Sequence, residues 1–278
     1  MNEQIDAEIT KTTATATLSI DAYAPAQIAK LIEAGGARKA QIPLLQTLLL
    51  GLLAGAFIAF GAMFFTLVMS NHGLGFGPGR LLGGVAFSLG LILVLIGGAE
   101  LFTGNNLIIM AWADRKVSTV QLLRNWGLVY SGNLIGALGS VILIYFSGTL
   151  ALGDGSVGQT AIGIANGKLQ LSFSEAFFRG ILCNTLVCLA VWLCFACHSV
   201  SSKILAIVFP ISAFVALGFE HSIANMYLIP IGMLWSGSGI DVTGFIGNLI
   251  PVTLGNVVGG SGFVALIYWL VYLYQPVQ

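Results

Sequence analysis

Two eight-residue strings place acidic and amide side chains inside long apolar runs. The first spans residues 98–105 (GAELFTGN), the second spans 218–225 (GFEHSIAN), and each reads G-x-E-x-x-x-x-N. The second string also carries a histidine directly after its glutamate. A charged group at the centre of a bilayer costs about 2.5–3.5 kcal/mol on insertion scales, so such residues usually face a pathway instead of lipid. The two strings therefore predict a pore or transport route between two interrupted helices.

The composition places the chain in a membrane. Of its 278 residues 57% are hydrophobic and only 8% are charged, and the mean hydropathy is +0.94, whereas a soluble domain carries about a quarter charged residues. The formal net charge of zero gives no indication of a nucleic-acid partner. A transmembrane helix needs about 20 mostly apolar residues. Six stretches satisfy this, at residues 44–69, 81–112, 122–146, 177–197, 204–235 and 245–274. We expect an all-α membrane protein of six spans, with spans two and five interrupted.

The first 42 residues are expected to form a separate cytoplasmic segment, and residues 43–278 the six-span domain. A short surface helix is predicted from Pro25, with Gly35 and Gly36 past its end. The segment lacks a basic region followed by an apolar one, so a cleaved signal peptide is not expected. With the N-terminus inside, eight of the eleven lysines and arginines, Lys11 among them, lie on the inner side. The positive-inside rule then places both termini in the cytoplasm, in an inner or plasma membrane.

The six-span domain is duplicated, with one repeat over about 43–150 and the other over about 170–275. The two glutamate strings lie 120 residues apart. Three spans per repeat is an odd number, so the second repeat must be inverted, as in many transporters. A further set of residues recurs 123 positions on; the pairs are Asn125 and Asn248, Val129 and Val252, Gly132 and Gly255, Asn133 and Asn256, Gly136 and Gly259, and Leu143-Ile144-Tyr145 and Leu266-Ile267-Tyr268.

The interrupted helices indicate the charge of the cargo. Small polar side chains at both strings compete for backbone hydrogen bonds and favour a break. Broken backbone at membrane depth is tolerated only where it is buried or lines a cavity. The half-helix N-termini then direct partial positive charge inward, which favours an anion at the centre.

These residues resemble the formate/nitrite transporter family, and within it the formate channels. The similar stretches cover all six spans: GGVAFSLGLIL at 83–93, ELFT at 100–103, GILCNTLVCLAVW at 180–192, FEHSIANM at 219–226, NLIPVTLGN at 248–256, and Tyr268-Trp269. The resemblance implies an aquaporin-like protomer in a homopentamer, each protomer with its own pore. Aquaporins themselves are disfavoured because the sequence contains no Asn-Pro-Ala box. The segment 236–244 is shorter than in the enteric formate channels, which implies a differently shaped outer mouth.

The resemblance also implies roles for individual residues. His221 corresponds to the central pore histidine, Thr103 to its partner, and Lys168 to the lysine that attracts anions, with Glu220 and Asn184 in its network. The implied constrictions are Leu91, Leu101 and Phe102 on the cytoplasmic side, and Phe87, Val187 and Phe214 on the outer side.

A histidine between two apolar gates suggests how an anion could pass. A bare anion pays a desolvation penalty at a dry constriction. Histidine has a reference pKa of about 6.5 and can exchange a proton under physiological conditions. Our hypothesis is that the anion takes a proton, directly from His221 or through water, and crosses as the neutral acid. Thr103 and Asn225 would orient it by hydrogen bonds.

Other interpretations stay open at this level. The cargo could be nitrite or hydrosulfide instead of formate, or a neutral solute. From another class, the chain could be the membrane anchor of an oxidoreductase, with the C-x-x-C-H motif at Cys194–His198 and His72 serving redox cofactors. That motif lies among apolar residues at the end of a span, which disfavours covalent haem.

The remaining patterns indicate no further chemistry. His221 alone could be a core histidine, Lys168 a loop lysine, and Glu100 and Glu220 structural acceptors of backbone N–H groups. The four cysteines all lie in the fourth span and are expected to be free thiols. The sequence shows no metal-ligand spacing and no nucleophile–base pair, so neither an enzyme, a metal nor a cofactor is expected.

Overall fold

The computed structural model describes residues 22–237, 239 and 241–275. Residues 1–21, which hold Lys11 and half of the predicted N-terminal segment, lie outside the described residues. Positions 238 and 240 of the short segment 236–244 also lie outside them, as do residues 276–278.

All regular secondary structure in the described residues is helical. Five helices are long and apolar enough to cross a membrane, and the shorter apolar helix Val200–Ala216 begins the remaining span. In chain order the helices are α1 (Pro25–Lys39), α2 (Leu44–Met69), α3 (Phe76–Gly97), α4 (Phe102–Asn105), α5 (Ile109–Ala113), α6 (Thr119–Phe146), α7 (Ser156–Leu169), α8 (Phe173–Ala196), α9 (Val200–Ala216), α10 (Ser222–Ser236), α11 (Val242–Val257) and α12 (Ile267–Tyr272).

Spans two and five are broken at the two glutamate strings, as the sequence predicts. α3 stops at Gly98, whose φ of +81° is left-handed and suits glycine, and the chain restarts as α4 after an extended Leu101. In the second repeat α9 ends before Gly218, at φ +73°, and α10 begins after an extended His221. The break therefore puts Leu101 and His221 at equivalent, extended positions between two half-helices.

Glycines bring the outer helices of each repeat into close contact. α2 packs on α6 so closely that a Cβ at Gly136 would lie 1.9 Å from the Leu52 carbonyl oxygen. α8 packs on α11 in the same way, because a Cβ at Gly255 would lie 2.2 Å from the Phe177 carbonyl oxygen. Small residues allow such backbone approach in membrane proteins. The recurring glycines of the repeat therefore mark helix contacts.

Two features differ from the sequence-based expectations. The surface helix does not end at Gly35 and Gly36 but continues to Lys39. Gly36 is buried, and a Cβ there would lie 3.3 Å from the Ile108 Cα, so this glycine serves packing and not helix termination. The last span also departs from its partner α6, because residues Val258–Leu266 form a π-helix.

Candidate functional site

His221 and Thr103 meet in the interior between the two broken spans. Thr103 Oγ1 lies 2.9 Å from His221 Nε2, and both residues are buried. Thr103 comes from α4 of the first repeat, whereas His221 comes from the extended turn of the second. The predicted pair is therefore brought together by the two repeats jointly.

The hydrogen bonds of His221 define its tautomer. Its Nδ1 caps α10 by accepting the backbone N–H of Ala224 at 3.1 Å. A backbone N–H can only donate, so Nδ1 is the unprotonated nitrogen and the proton of the neutral ring is on Nε2. His221 Nε2–H then donates to the hydroxyl of Thr103.

One cavity reaches this pair from the α7 side of the molecule. This cavity, chamber A, has a volume of about 500 Å³. Phe87, Phe214 and His221 form its inner end, and the Phe214 ring stacks on the His221 ring at 6.0 Å. The rings of Phe87 and Phe214 meet edge to face at 5.6 Å. Two of the three predicted outer constriction residues therefore line this chamber together with the histidine.

A second cavity opens on the α1 side. This cavity, chamber B, has a volume of about 530 Å³, and Leu91, Leu101 and Gly104 form part of its lining. Phe87 and Leu91 are one turn apart on α3 and line different chambers. Along α3 the two chambers therefore approach each other within about one helical turn, or ~5–6 Å. The region between them, the barrier, is bordered by Phe87 and Phe214 on the chamber A side and by Leu91 and Leu101 on the chamber B side.

The two glutamates anchor matching networks, one beside each chamber. In the network of Glu100, Lys39 Nζ contacts Glu100 Oε1 at 3.0 Å and Asn105 Oδ1 at 2.9 Å. Asn105 Nδ2 donates to Glu100 and to Asn125, and Asn125 donates to the Lys39 carbonyl. The network is closed, so each buried polar group supports another.

The second repeat builds the same ring with one difference. Asn225 Nδ2 donates to Glu220 and Asn248, and Asn248 donates to the Lys168 carbonyl. Lys168 Nζ, however, lies on both carboxylate oxygens of Glu220, at 2.9 and 3.0 Å. Asn225 Oδ1 consequently has no hydrogen-bond partner in the described part of the chain.

The repeated asparagines hold the broken turns in place. Asn133 donates to the carbonyls of Gly51 and Glu100 and accepts the Phe102 N–H at 3.0 Å. In the second repeat Asn256 donates to the carbonyls of Gly180 and Glu220 and accepts the Ser222 N–H. These side chains satisfy backbone groups that the helix breaks leave free.

Several expected positions prove different. Asn184 does not contact Lys168 or Glu220; it donates to Asn106, to the Asn256 carbonyl and to the Thr103 carbonyl. The carboxylates of Glu100 and Glu220 accept from lysine and asparagine side chains and not from backbone N–H groups.

Two predicted constriction residues, Phe102 and Val187, are buried and are not among the described residues that line either chamber. Phe102 packs edge to face on Tyr130, with ring centroids 4.9 Å apart.

Sequence reasoning missed three cations that line the two chambers, namely Lys39, Arg80 and Arg179. Lys39 lies 61 residues before Glu100, whereas Lys168 lies 52 residues before Glu220. Because these separations differ, the repeat offset could not show that the two lysines are equivalent. Arg80 and Arg179 line chamber A together with Lys168. Both arginines lie outside the glutamate strings, and only the fold brings them there.

A charged cluster outside the spans ties α1 to the loop before α6. Lys116 Nζ lies 2.6 Å from Glu33 Oε2 and 3.1 Å from Asp114 Oδ2. Burial raises the pKa of Glu33 above its ordinary 4.5, although Lys116 opposes this shift. The hydrogen bond from Glu33 lowers the pKa of Asp114 below its ordinary 3.8. Because α1 lines chamber B, this cluster supports the chamber wall.

The sequence profile described as formate/nitrite transporter matches residues 26–270. The chain belongs to the formate/nitrite transporter family. It is similar to the formate channel FocA of Escherichia coli strain K12, with 41% identity over 272 residues that cover 91% of this chain and 95% of that protein. It is also similar to the probable formate transporter of Methanothermobacter thermautotrophicus, with 42% identity and coverage of 90% and 97%.

Solved structures agree with this assignment. A pentameric formate channel with formate bound is similar, with a TM-score of 0.77, 41% identity, and coverage of 83% of this chain and 98% of that one. An ion channel of the same family gives a TM-score of 0.80 at 31% identity, with coverage of 88% and 98%. The predicted family and the all-helical fold with two interrupted, repeated spans are confirmed. The relatives named here are channels or transporters.

Proposed function

We propose that this chain conducts formate across a bacterial-type inner membrane, as one protomer of a homopentamer with both termini in the cytoplasm. The support for formate and for the fivefold assembly is the 41% identity to a pentameric formate channel over most of the chain. The enrichment of lysine and arginine on the α1 side supports the orientation.

The observation that carries the mechanism is the position of His221 between two chambers. Its Nε2–H faces Thr103 in a barrier otherwise bordered by Phe87, Phe214, Leu91 and Leu101. An anion pays a large desolvation cost there, and the same desolvation raises its affinity for a proton. Passage as the neutral acid avoids most of that cost.

The hydrogen bonds favour water as the source of the proton. The neutral ring has a single N–H proton on Nε2, and Nδ1 is engaged by the Ala224 N–H. Direct donation from an imidazolium would first require Nδ1 to leave that N–H. We therefore assign His221 the role of a polar contact that holds the acid between the gates, while the proton travels through chamber water.

The paired networks would set the approach on each side. Lys39 at chamber B and Lys168 at chamber A each neutralise a buried glutamate at the two ends of the barrier. An uncompensated carboxylate there would repel an arriving anion, so the two lysines keep both approaches open to it. Asn225 and Asn184 hold the turns that carry these groups, so their contribution is to geometry.

Formate flux into proteoliposomes tests the proposal. His221→Phe should reduce formate flux severalfold at every pH while the purified protein keeps its assembly and thermal stability. His72→Phe, which changes a histidine that lines neither chamber, serves as the matched control and should retain the flux. Undiminished formate flux in a folded His221→Phe protein would contradict the role of the histidine.

The other cargoes remain distinguishable in the same assay. Nitrite and hydrosulfide are also small monovalent anions with neutral acid forms, so their fluxes are compared with that of formate. Rapid glycerol passage with no formate flux would favour a neutral-solute pore. A haem spectrum or a partner subunit that copurifies would favour the membrane-anchor alternative.

A further inference from the structure

Chamber A carries more positive charge than its lysine network accounts for. Arg80, Lys168 and Arg179 line it, and Glu220 is the carboxylate in its lining. Lys168 is engaged by both oxygens of Glu220, and its side chain is only 14% exposed. A lysine held in this way leaves little net charge for an arriving anion. The two arginines therefore supply the positive potential of the chamber.

The Arg80 guanidinium is held by two hydrogen bonds, and some of its N–H donors have no partner among the described residues. Its Nε donates to the Ala216 carbonyl at 3.1 Å, and its Nη2 donates to the Val215 carbonyl at 2.6 Å. These bonds anchor the C-terminal end of α9, just before the turn that carries His221. Two of the five N–H donors are occupied, so one on Nη2 and both on Nη1 remain. Nη1 has no partner in the described part of the protein.

The Arg179 side chain is less constrained than that of Arg80. Its side chain is 42% exposed, and its contact to Glu175 is 4.0 Å long with the glutamate itself 53% exposed. Such a surface pair contributes little. Its backbone carbonyl accepts the Glu220 N–H at 3.2 Å, which fixes the start of this side chain beside the glutamate.

We propose that Arg80 and Arg179 form a selectivity site in chamber A that prefers planar anions with two oxygens over single-centre anions such as hydrosulfide. A guanidinium matches a carboxylate-like anion with two parallel N–H···O bonds, whereas an ammonium acts as a point charge. Formate and nitrite both present two oxygens in one plane. Hydrosulfide has one acceptor atom and cannot accept two parallel hydrogen bonds from a guanidinium. This site rests on the proposed function and narrows its cargo.

Competition in proteoliposomes tests the site through charge-conserving variants. Arg179→Lys keeps the positive charge and removes the planar pair of N–H donors. We expect the half-saturating formate concentration and the nitrite inhibition constant each to rise roughly threefold or more, with hydrosulfide inhibition unchanged. Arg179→Gln should weaken all three anions and lower the salt dependence of uptake. Arg124→Lys, which alters an arginine outside both chambers, is the matched control.

Arg80→Lys repeats the test at the anchored position, and its thermal stability is measured because it also loses the α9 contacts. Arg179→Lys keeps the proposal falsifiable if that variant does not fold. Equal shifts for formate and hydrosulfide, or no shift for either, would overturn the selectivity site. His221→Phe tests the proposed function separately. If the chain carries hydrosulfide instead of formate, inhibition of the hydrosulfide flux by nitrite in the arginine variants still tests the selectivity site.

Discussion

Tyr130 and Thr253 occupy equivalent positions in the two repeats and bind each other. Tyr130 Oη lies 3.0 Å from Thr253 Oγ1, and the two residues are separated by the 123 positions that relate the outer helices of the repeats. A residue that contacts its own equivalent lies at the axis relating the two halves. This hydrogen bond therefore joins α6 to α11 where the two repeats meet.

Removal of this bond should loosen the joint between the repeats. Tyr130→Phe and Thr253→Val are each expected to destabilise the protein by about 1 kcal/mol, because each removes one partner of a hydrogen bond. The double variant should cost less than the sum of the single changes, since the bond can be lost only once. Thermal unfolding of the four proteins in detergent measures this coupling. Strict additivity would mean that the hydroxyls do not interact.

Close helix contact should make Gly136 intolerant of any side chain. Gly136→Ala is expected to lower the melting temperature and the yield of assembled protein, because its Cβ would overlap the Leu52 carbonyl. Gly139→Ala on the same helix α6 is the control, since a Cβ there meets nothing within 4 Å. That variant should gain roughly 0.5–1 kcal/mol from helix propensity. Similar melting temperatures for the two variants would refute this packing.

The two lysine networks should respond unequally to loss of the cation. Lys168→Met leaves Glu220 buried and unpaired, which costs about 3–5 kcal/mol for a buried pair. Lys39→Met should cost less, because Lys39 is 36% exposed against 14% for Lys168. Adding Glu220→Gln to Lys168→Met should restore most of the stability. Chemical denaturation followed by circular dichroism gives the ranking, and a larger loss for Lys39→Met would contradict it.

The sequence predicted the parts of this protein that repeat. The string G-x-E-x-x-x-x-N marked both helix breaks, because its small polar side chains compete for backbone hydrogen bonds inside an apolar run. The recurrence of Asn133 and Asn256 marked them as members of the repeat, but the structure was needed to show that their side chains bind the backbone of the broken turns. The helix breaks follow from the local cost of buried polar groups and from the repeat spacing, which one sequence contains. The pairing of His221 with Thr103 was instead implied by the family resemblance, and the two side chains lie 2.9 Å apart.

Contacts that cross between distant segments were not predictable in the same way. Lys39 reaches Glu100 from a helix outside the repeat, and Arg80 reaches the carbonyls of α9 from α3. Asn184 was assigned to the lysine network by resemblance, but its bonds are to Asn106 and Asn256. Tertiary packing decides which of several polar groups an asparagine meets, and sequence spacing carries no such information.

The attachment of α1 should depend on pH through Glu33. Its raised pKa means that the docked helix favours the protonated acid, so this contribution is complete below pH 4.5 and is lost as the pH rises through the docked value. Asp114 has the opposite sign: its contribution is present above pH 3.8 and is lost as the pH falls through its lowered pKa. Hydrogen exchange of α1 amides, corrected for intrinsic rates, should therefore show weaker protection at neutral than at mildly acidic pH. Glu33→Gln should remove that change and Lys30→Gln should keep it. Equal pH dependence in all three proteins would contradict the assignment.

The tautomer of His221 is a direct test of the proposed route of the proton. The Ala224 N–H at Nδ1 and the Thr103 hydroxyl at Nε2 together require the proton on Nε2. Solid-state nitrogen NMR of histidine-labelled protein in lipid should show an unprotonated Nδ1 and a protonated Nε2, assigned by the loss of signals in His221→Phe. Thr103→Val should leave the Nδ1 signal in place, because the cap of α10 does not involve the threonine. If both ring nitrogens instead carry a proton at neutral pH, the cap bond is absent, and direct proton donation by the imidazolium becomes the better account of passage.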